Sequence, residues 1–167
     1  MDVPSEKLEH ILAFYKPEYR VLITARVEDS DARGRFAVLG SPFMIQQVEH
    51  VTAVEAQLCI TQLMYAACSV WAEQGRFGRV IAFDEYLRKM REHVLFVEST
   101  LRFSTKLPPN TPFDGKIYNM TLASLCGNYI MTGEAEFGDF SSPRTFVKDA
   151  FKGKIKFLFQ QYAGSPI

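Results

Sequence analysis

Charge of one sign is the first thing this sequence lacks. Lys plus Arg and Asp plus Glu each number 19, which leaves a formal charge of zero. A protein that grips nucleic acid or an anionic membrane with its general surface normally carries a basic excess, so neither partner is expected. Cysteine is scarce too. Cys59, Cys68 and Cys126 are an odd number without CxxC or Cys/His spacing. They read as reduced, buried small hydrophobes of a cytoplasmic protein rather than as a disulfide framework. No apolar run reaches bilayer length unbroken: the longest, Ala53 to Trp71, contains Glu55, Gln57, Thr61 and Gln62. Met1 opens directly onto the charged segment Asp2 to His10, so no signal peptide is expected. No His/Asp/Glu spacing resembles a metal site, no Gly-rich loop suits a phosphate, and Ser41 lacks the flanking glycines of a nucleophile elbow.

What is present suits one globular unit. A chain of 167 residues is expected to form a single domain and to bury roughly two-thirds of its unfolded surface. Hydrophobic residues are 47% and charged residues 23%, both ordinary values, whereas fourteen Phe raise the aromatic share to 13%. Those rings either line an apolar site or fill the core.

The periodicity gives an element order. Ser5 to Tyr15 is a short helix closed before Pro17. Tyr19 to Glu28 and Arg33 to Gly40 are strands joined by the polar turn Asp29 to Ala32, and Pro42 to Glu49 is an irregular connector. Ala53 to Glu73 is a long helix, apolar nearly all round and ended by Gly75, so protein should surround it. Phe83 to His93 is an amphipathic helix. The period then changes to two: Leu95 to Phe103 alternates as a strand, Gly115 to Leu125 and Asn128 to Phe137 form a hairpin around Cys126-Gly127, and a looser stretch from Gly138 to Lys152 leads to a last strand, Lys154 to Gln160. An all-apolar helix needs a wrapper, and a curved antiparallel sheet supplies one. The expected fold is therefore α+β of the hotdog type, with the sheet wrapped around the long helix. An open sheet edge implies a homo-oligomer, a dimer or higher.

The chemistry-bearing stretch is Gln46-Gln47-Val48-Glu49-His50-Val51-Thr52-Ala53-Val54-Glu55. It places a histidine, carboxylates, amides and a hydroxyl at a helix N-terminus, whose unpaired N–H groups and dipole would polarise a thioester carbonyl and stabilise an oxyanion or enolate. Thr52 and Glu55 match a capping box; alternatively, Glu55 orients or activates a nucleophile. Histidine titrates near neutral pH and is the natural general base, so His50 is either catalytic or simply packed before the cap. Arg102 and Lys106 fall on the Phe96, Glu98 and Thr100 side of their strand, opposite Val97, Leu101 and Phe103. They are either a solvated face or cations for a carboxylate or a pantetheine phosphate. The basic run Arg144 to Lys148, with Lys152, Lys154 and Lys156, is either a protected edge or a surface for an acidic carrier.

The run His50-Val51-Thr52-Ala53-Val54-Glu55 followed by Leu58-Cys59-Ile60-Thr61-Gln62-Leu63-Met64-Tyr65 resembles the helix signature of the FcoT-type thioesterases. The likeness extends through Leu101-Arg102-Phe103 to the closing Gly153-Lys154-Ile155. It implies a hotdog fold and, for some members, hydrolysis of long-chain acyl-CoA. Other members, from isonitrile lipopeptide or β-amino acid biosynthesis, add glycine to the β-carbon of a (2E)-enoyl thioester on an acyl carrier protein and release a 3-[(carboxymethyl)amino] fatty acid. Met44 stands where thioesterase-type members have a tyrosine, and Thr52 where they have an asparagine, while the histidine remains as His50. These departures favour the glycine-adding reading, with acyl carrier protein and glycine as partners and no cofactor or metal. His50 and Glu55 are then the catalytic candidates. Thr52, Arg102, Phe43, Met44 and Tyr65 are the substrate-binding candidates, with Arg102 for the glycine carboxylate. The alternatives are an acyl-CoA or acyl-carrier thioesterase and a noncatalytic acyl-binding protein.

Overall fold

The computed structural model describes residues 1–44, 46, 48–126, 128–138 and 150–160. Gln47, Gly127 and the looser stretch 139–149, with Arg144 and Lys148, lie outside the described residues.

The chain opens with α1 (Ser5–Leu12) and a 3-10 turn at Pro17–Tyr19, then runs through β1 (Leu22–Glu28) and β2 (Asp31–Phe36). Helix α2 (Ala53–Glu73) and helix α3 (Phe83–His93) follow. Strands β3 (Val94–Phe103), β4 (Phe113–Leu125), β5 (Asn128–Gly138) and β6 (Phe151–Phe159) complete it. One six-stranded antiparallel sheet results, in the order β1-β2-β4-β5-β6-β3. This is the hotdog architecture, an α+β fold whose sheet curves around α2.

Helix α2 dictates the rest. Ala56, Cys59, Ile60, Leu63, Met64, Ala66, Ala67 and Cys68 are all fully buried. The sheet covers one side of the helix and α1 and α3 the other. Each large side chain buried this way contributes about 1.5–3 kcal/mol. Gln62, in the middle of this apolar surface, is also fully buried. Its side-chain oxygen accepts from Val21 and Leu22 N–H, each at 3.0 Å, and its amide donates to the Tyr19 carbonyl at 2.7 Å. The residue that interrupts the apolar run thus ties the helix to the start of β1. Among the described residues no helix is long and apolar enough to cross a membrane.

The aromatic excess is mostly core. Phe137 stacks on Phe151 at 4.5 Å, and Phe36 and Phe103 extend the line at 5.3 Å on either side. The row needs glycine beside it, because a Cβ at Gly115 would lie 2.2 Å from the Phe137 ring. At Gly153 a Cβ would meet the Thr100 carbonyl at 1.7 Å. Its absence lets β6 begin at Phe151, earlier than the expected Lys154, with Phe151 paired to both Phe103 and Phe137.

Strand β3 departs from simple alternation. Its register with β6 shifts between Phe96 and Glu98, so Val97 is an inserted residue, a β-bulge. Phe96 therefore turns inward, edge-on to Phe157 at 4.8 Å, with Ser99 and Leu101 on the same inner face. Glu98, Thr100 and Arg102 share the outer face, and Lys106 lies beyond the strand end. The grouping of Phe96 with Arg102 by strict alternation is thus corrected, since one bulge inverts every later side chain.

Replacing Gln62 by Leu should lower stability by about 3 kcal/mol, because buried backbone groups of Tyr19, Val21 and Leu22 lose their partner. Urea unfolding of the two proteins checks this.

Candidate active site

The start of α2 is fastened from three sides. Thr52 caps the helix, accepting from Val54 N–H at 3.3 Å, and Glu55 closes the capping box by accepting from Thr52 N–H at 2.8 Å. The same Glu55 oxygen accepts from the Thr52 hydroxyl, and the other accepts from the Ser41 hydroxyl. Glu55 is only 1% exposed, so it joins the connector to the helix entrance from a buried position. Val51 N–H donates to the Leu107 carbonyl at 2.8 Å, which lays the pre-helix segment beside the chain leaving β3. Farther along, Ser99 donates to the Gln57 side chain at 3.2 Å and draws β3 onto the first turns of α2.

These ties create a depression of about 450 Å³ lined by His50, Val51, Thr52, Ala53, Phe103, Ser104, Thr105 and Lys106. His50 is half-buried in it and its ring is engaged by no described residue. Ala53 contributes a first-turn backbone N–H at the positive end of the α2 dipole. Lys106 supplies an exposed cation and Phe103, 46% exposed, an apolar wall. A histidine, a helix N-terminus, a cation and an aromatic ring thus meet in one place. A larger depression, about 720 Å³, lies on the outer sheet face over β1, β2 and β4, with Arg26, Arg33 and Arg35 among its lining. It offers no histidine and no helix end, so the smaller depression is the candidate site.

The structure brings together His50, Thr52 and, through the cap, Glu55. It does not bring the remaining candidates to the same depression. Arg102 lines a separate hollow on the outer sheet face with Tyr118, Glu134 and Lys152, because the β3 bulge turns it outward. Lys106, expected on the same strand face as Arg102, lies beyond the end of β3 and lines the His50 depression instead. Phe43 and Met44, 40% and 41% exposed, project from the connector without lining the depression. Tyr65 lies along α2, roughly 18 Å from Ala53 by helical rise, and faces α3: Tyr86 donates to the Tyr65 carbonyl at 2.7 Å. Burial raises the Tyr65 hydroxyl pKa, and the neighbouring Cys68 adds to the shift. Cys59 is not a nucleophile; burial first, then the Glu55 carboxylate, push its thiol well above the ordinary range. Ser41, buried against Glu55, was not singled out from the sequence. Its partner is fourteen residues away, and no local pattern announces such a contact.

The chain matches the model of the FcoT-like thioesterase domain over residues 10–137. It belongs to that family. No curated protein matches it in sequence. Solved structures with the same architecture include S. sahachiroi AziG, at 10% identity and a TM-score of 0.52, over 84% of this chain and 92% of that one. The dehydratase heterocomplex ApeI:P of Xenorhabdus doucetiae aligns at 14% identity and a TM-score of 0.58, over 93% and 91%. A Shewanella oneidensis protein with a proposed thioesterase role aligns at 9% identity and 0.56, over 95% and 100%. At such identities the likeness establishes the hotdog fold. For this FcoT-like chain the family places the chemistry in the realm of acyl thioesters.

Removing the Glu55 carboxylate by substitution with Ala should cost about 2 kcal/mol, since the cap and the buried Ser41 hydroxyl lose their acceptor together. Thermal unfolding of the Ala variant, with Glu55→Gln as the milder change, measures this.

Proposed function

We propose that this protein adds glycine to the β-carbon of a (2E)-enoyl thioester held on an acyl carrier protein and releases a 3-[(carboxymethyl)amino] fatty acid. The observation that carries the reading is the convergence of His50, the α2 N-terminus and Lys106 on one depression. Glycine reacts as the free amine, so its ammonium must lose a proton, and His50 is the base within the depression. The amine lone pair forms the new C–N bond at the β-carbon. The alkene electrons move toward the thioester carbonyl, and the enolate oxygen is held by the Ala53 N–H at the α2 N-terminus. Proton return to the α-carbon gives the adduct. Water then adds at the thioester carbonyl and the carrier thiol leaves. Lys106 holds the glycine carboxylate, the role expected of Arg102. Glu55 acts as a positioning residue, and Phe43, Met44 and Tyr65 serve the acyl chain only if a second copy or a longer chain brings them to it. No step draws on a cofactor.

Family membership favours a second reading, direct hydrolysis of an acyl-CoA or acyl-carrier thioester in the same depression. Intact mass spectrometry of a crotonyl-loaded carrier protein separates the two. Gain of glycine's mass, or release of the carboxymethylamino acid only with glycine present, supports addition; crotonate released regardless of glycine assigns hydrolysis; acyl binding without turnover assigns a lipid-binding role. His50→Ala should lower turnover at least about 100-fold in a folded protein. Lys106→Met should raise the KM for glycine about tenfold, the loss of one charge-assisted contact, with little change in kcat.

We further propose that the protein pairs with a second copy along the edge of β3. Among the described residues no strand pairs with the outer edge of β3, whereas the β1 edge is partly covered by the N-terminus, through Val3 N–H to the Ala25 carbonyl at 2.9 Å and Val27 N–H to the Met1 carbonyl at 2.8 Å. Val97 and Phe103 of β3 are 51% and 46% exposed, apolar groups on the strand that suit strand pairing. Light scattering should give a dimer or a multiple of it, and Val97→Lys should shift the protein toward monomer.

A further inference from the structure

The register of the sheet assembles a feature that no single segment shows. Arg26 pairs with Arg33, Arg33 with Lys116, Lys116 with Glu136, Glu136 with Lys152, and Lys152 with Arg102. These residues form one row across the whole outer face, cationic except at Glu136. Lys116 neutralises that carboxylate at 2.7 Å, and Arg26 pairs with Glu28 at 3.0 Å. Among the described residues no ion pair engages Arg33, Lys152, Arg102 or, in the neighbouring row, Lys154. Lys154 stands between two hollows of about 410 and 370 Å³, the second of which Arg102 and Lys152 also line. Three of these four cations, Lys152, Lys154 and Arg102, lie on β6 and β3, with Glu134 of β5 the carboxylate beside Lys154, at the end of the row where Arg102 immediately precedes Phe103 of the candidate active site.

We infer that the Lys152, Lys154 and Arg102 surface docks an acidic helix of the protein that carries the acyl thioester. This rests on the reading of the substrate as carrier-bound. Strands are spaced about 4.8 Å apart, and carboxylates at i, i+3 and i+4 of a helix recur about every 5 Å along its axis, so an acidic helix lying over this end of the sheet can set neighbouring carboxylates against Arg102 of β3 and Lys152 of β6, which are paired across the strands, with Lys154 beside them. A nucleic acid fits less well. Glu134 and Glu98 line the same hollows and would oppose an unbroken phosphate chain, whereas a protein partner offers its carboxylates at discrete points. A carrier seated there has its prosthetic arm next to the C-terminal end of β3. The arm reaches the His50 depression past that end, without crossing the open edge of the strand.

The test measures binding and turnover separately, in wild type and in the exposed double variant Lys152→Glu/Lys154→Glu. Binding is read by calorimetry with a crotonyl-loaded acyl carrier protein. Turnover is read with that carrier and with the crotonyl thioester of N-acetylcysteamine, which has no protein part. The expected result is a Kd for the carrier at least tenfold weaker in the variant, the same rise in KM, and unchanged turnover of the small thioester. Lys152→Arg/Lys154→Arg should restore binding. Equal carrier binding by wild type and the glutamate variant would overturn the docking surface, as would no carrier binding by wild type, tighter binding of short duplex DNA, or an altered oligomeric state in the variant. Absence of turnover on both thioesters, with carrier binding intact and charge-dependent, would instead remove the catalytic reading and leave the docking surface standing.

Discussion

The burial of α2 is the constraint on which the molecule depends. A helix apolar on nearly every side cannot face water, so the sheet must curve over one side while α1 and α3 close the other. The polar groups that interrupt it are made useful by that enclosure. Gln62 is locked onto three backbone groups at the start of β1, and Glu55 fastens the helix entrance to Thr52 and Ser41. Helix position and site geometry are therefore one problem. Because the buried Glu55 carboxylate ties Thr52 and Ser41 together, the Ala53 N–H at the helix entrance is held in one place, which is the preorganisation that the proposed stabilisation of an enolate requires.

The sheet carries the complementary half of the argument. Its inner face is a line of phenyl rings from Phe36 through Phe137 and Phe151 to Phe103, and the last of these reaches the depression beside His50. Its outer face is charged, and the cross-strand register gathers cations from five of the six strands into one row, with Glu136 of β5 among them. The two faces meet at the end of β3, where the apolar ring and the unneutralised cations are adjacent in the chain. A thioester delivered by an acidic protein would find recognition on one side of that strand end and chemistry on the other.

Much of this was legible in the residues. The apolar circumference of Ala53 to Glu73 called for a wrapper, and the period-two segments supplied it, so the hotdog architecture followed from patterning alone. The capping box at Thr52 and Glu55 was readable because its partners are three residues apart and local geometry suffices. The position of His50 beside the helix entrance followed for the same reason.

Other features depended on contacts between distant segments, which local pattern does not encode. The bulge at Val97 is invisible in an alternating string of residues, yet it turns Arg102 out of the site and leaves Lys106 as the cation in the depression. Ser41 meets Glu55, and Gln62 meets β1, only after the chain has closed on itself. The charge row exists only as a register, since Arg26, Arg33, Lys116, Lys152 and Arg102 are scattered over the sequence. What the sequence by itself determined were the helix that must be buried, the strands able to bury it and the local cap beside the histidine, because each rests on periodicity or on partners within one turn. Tertiary structure alone decided which cation faces the site and which charges share a surface, because strand register and a single inserted residue set the side-chain direction.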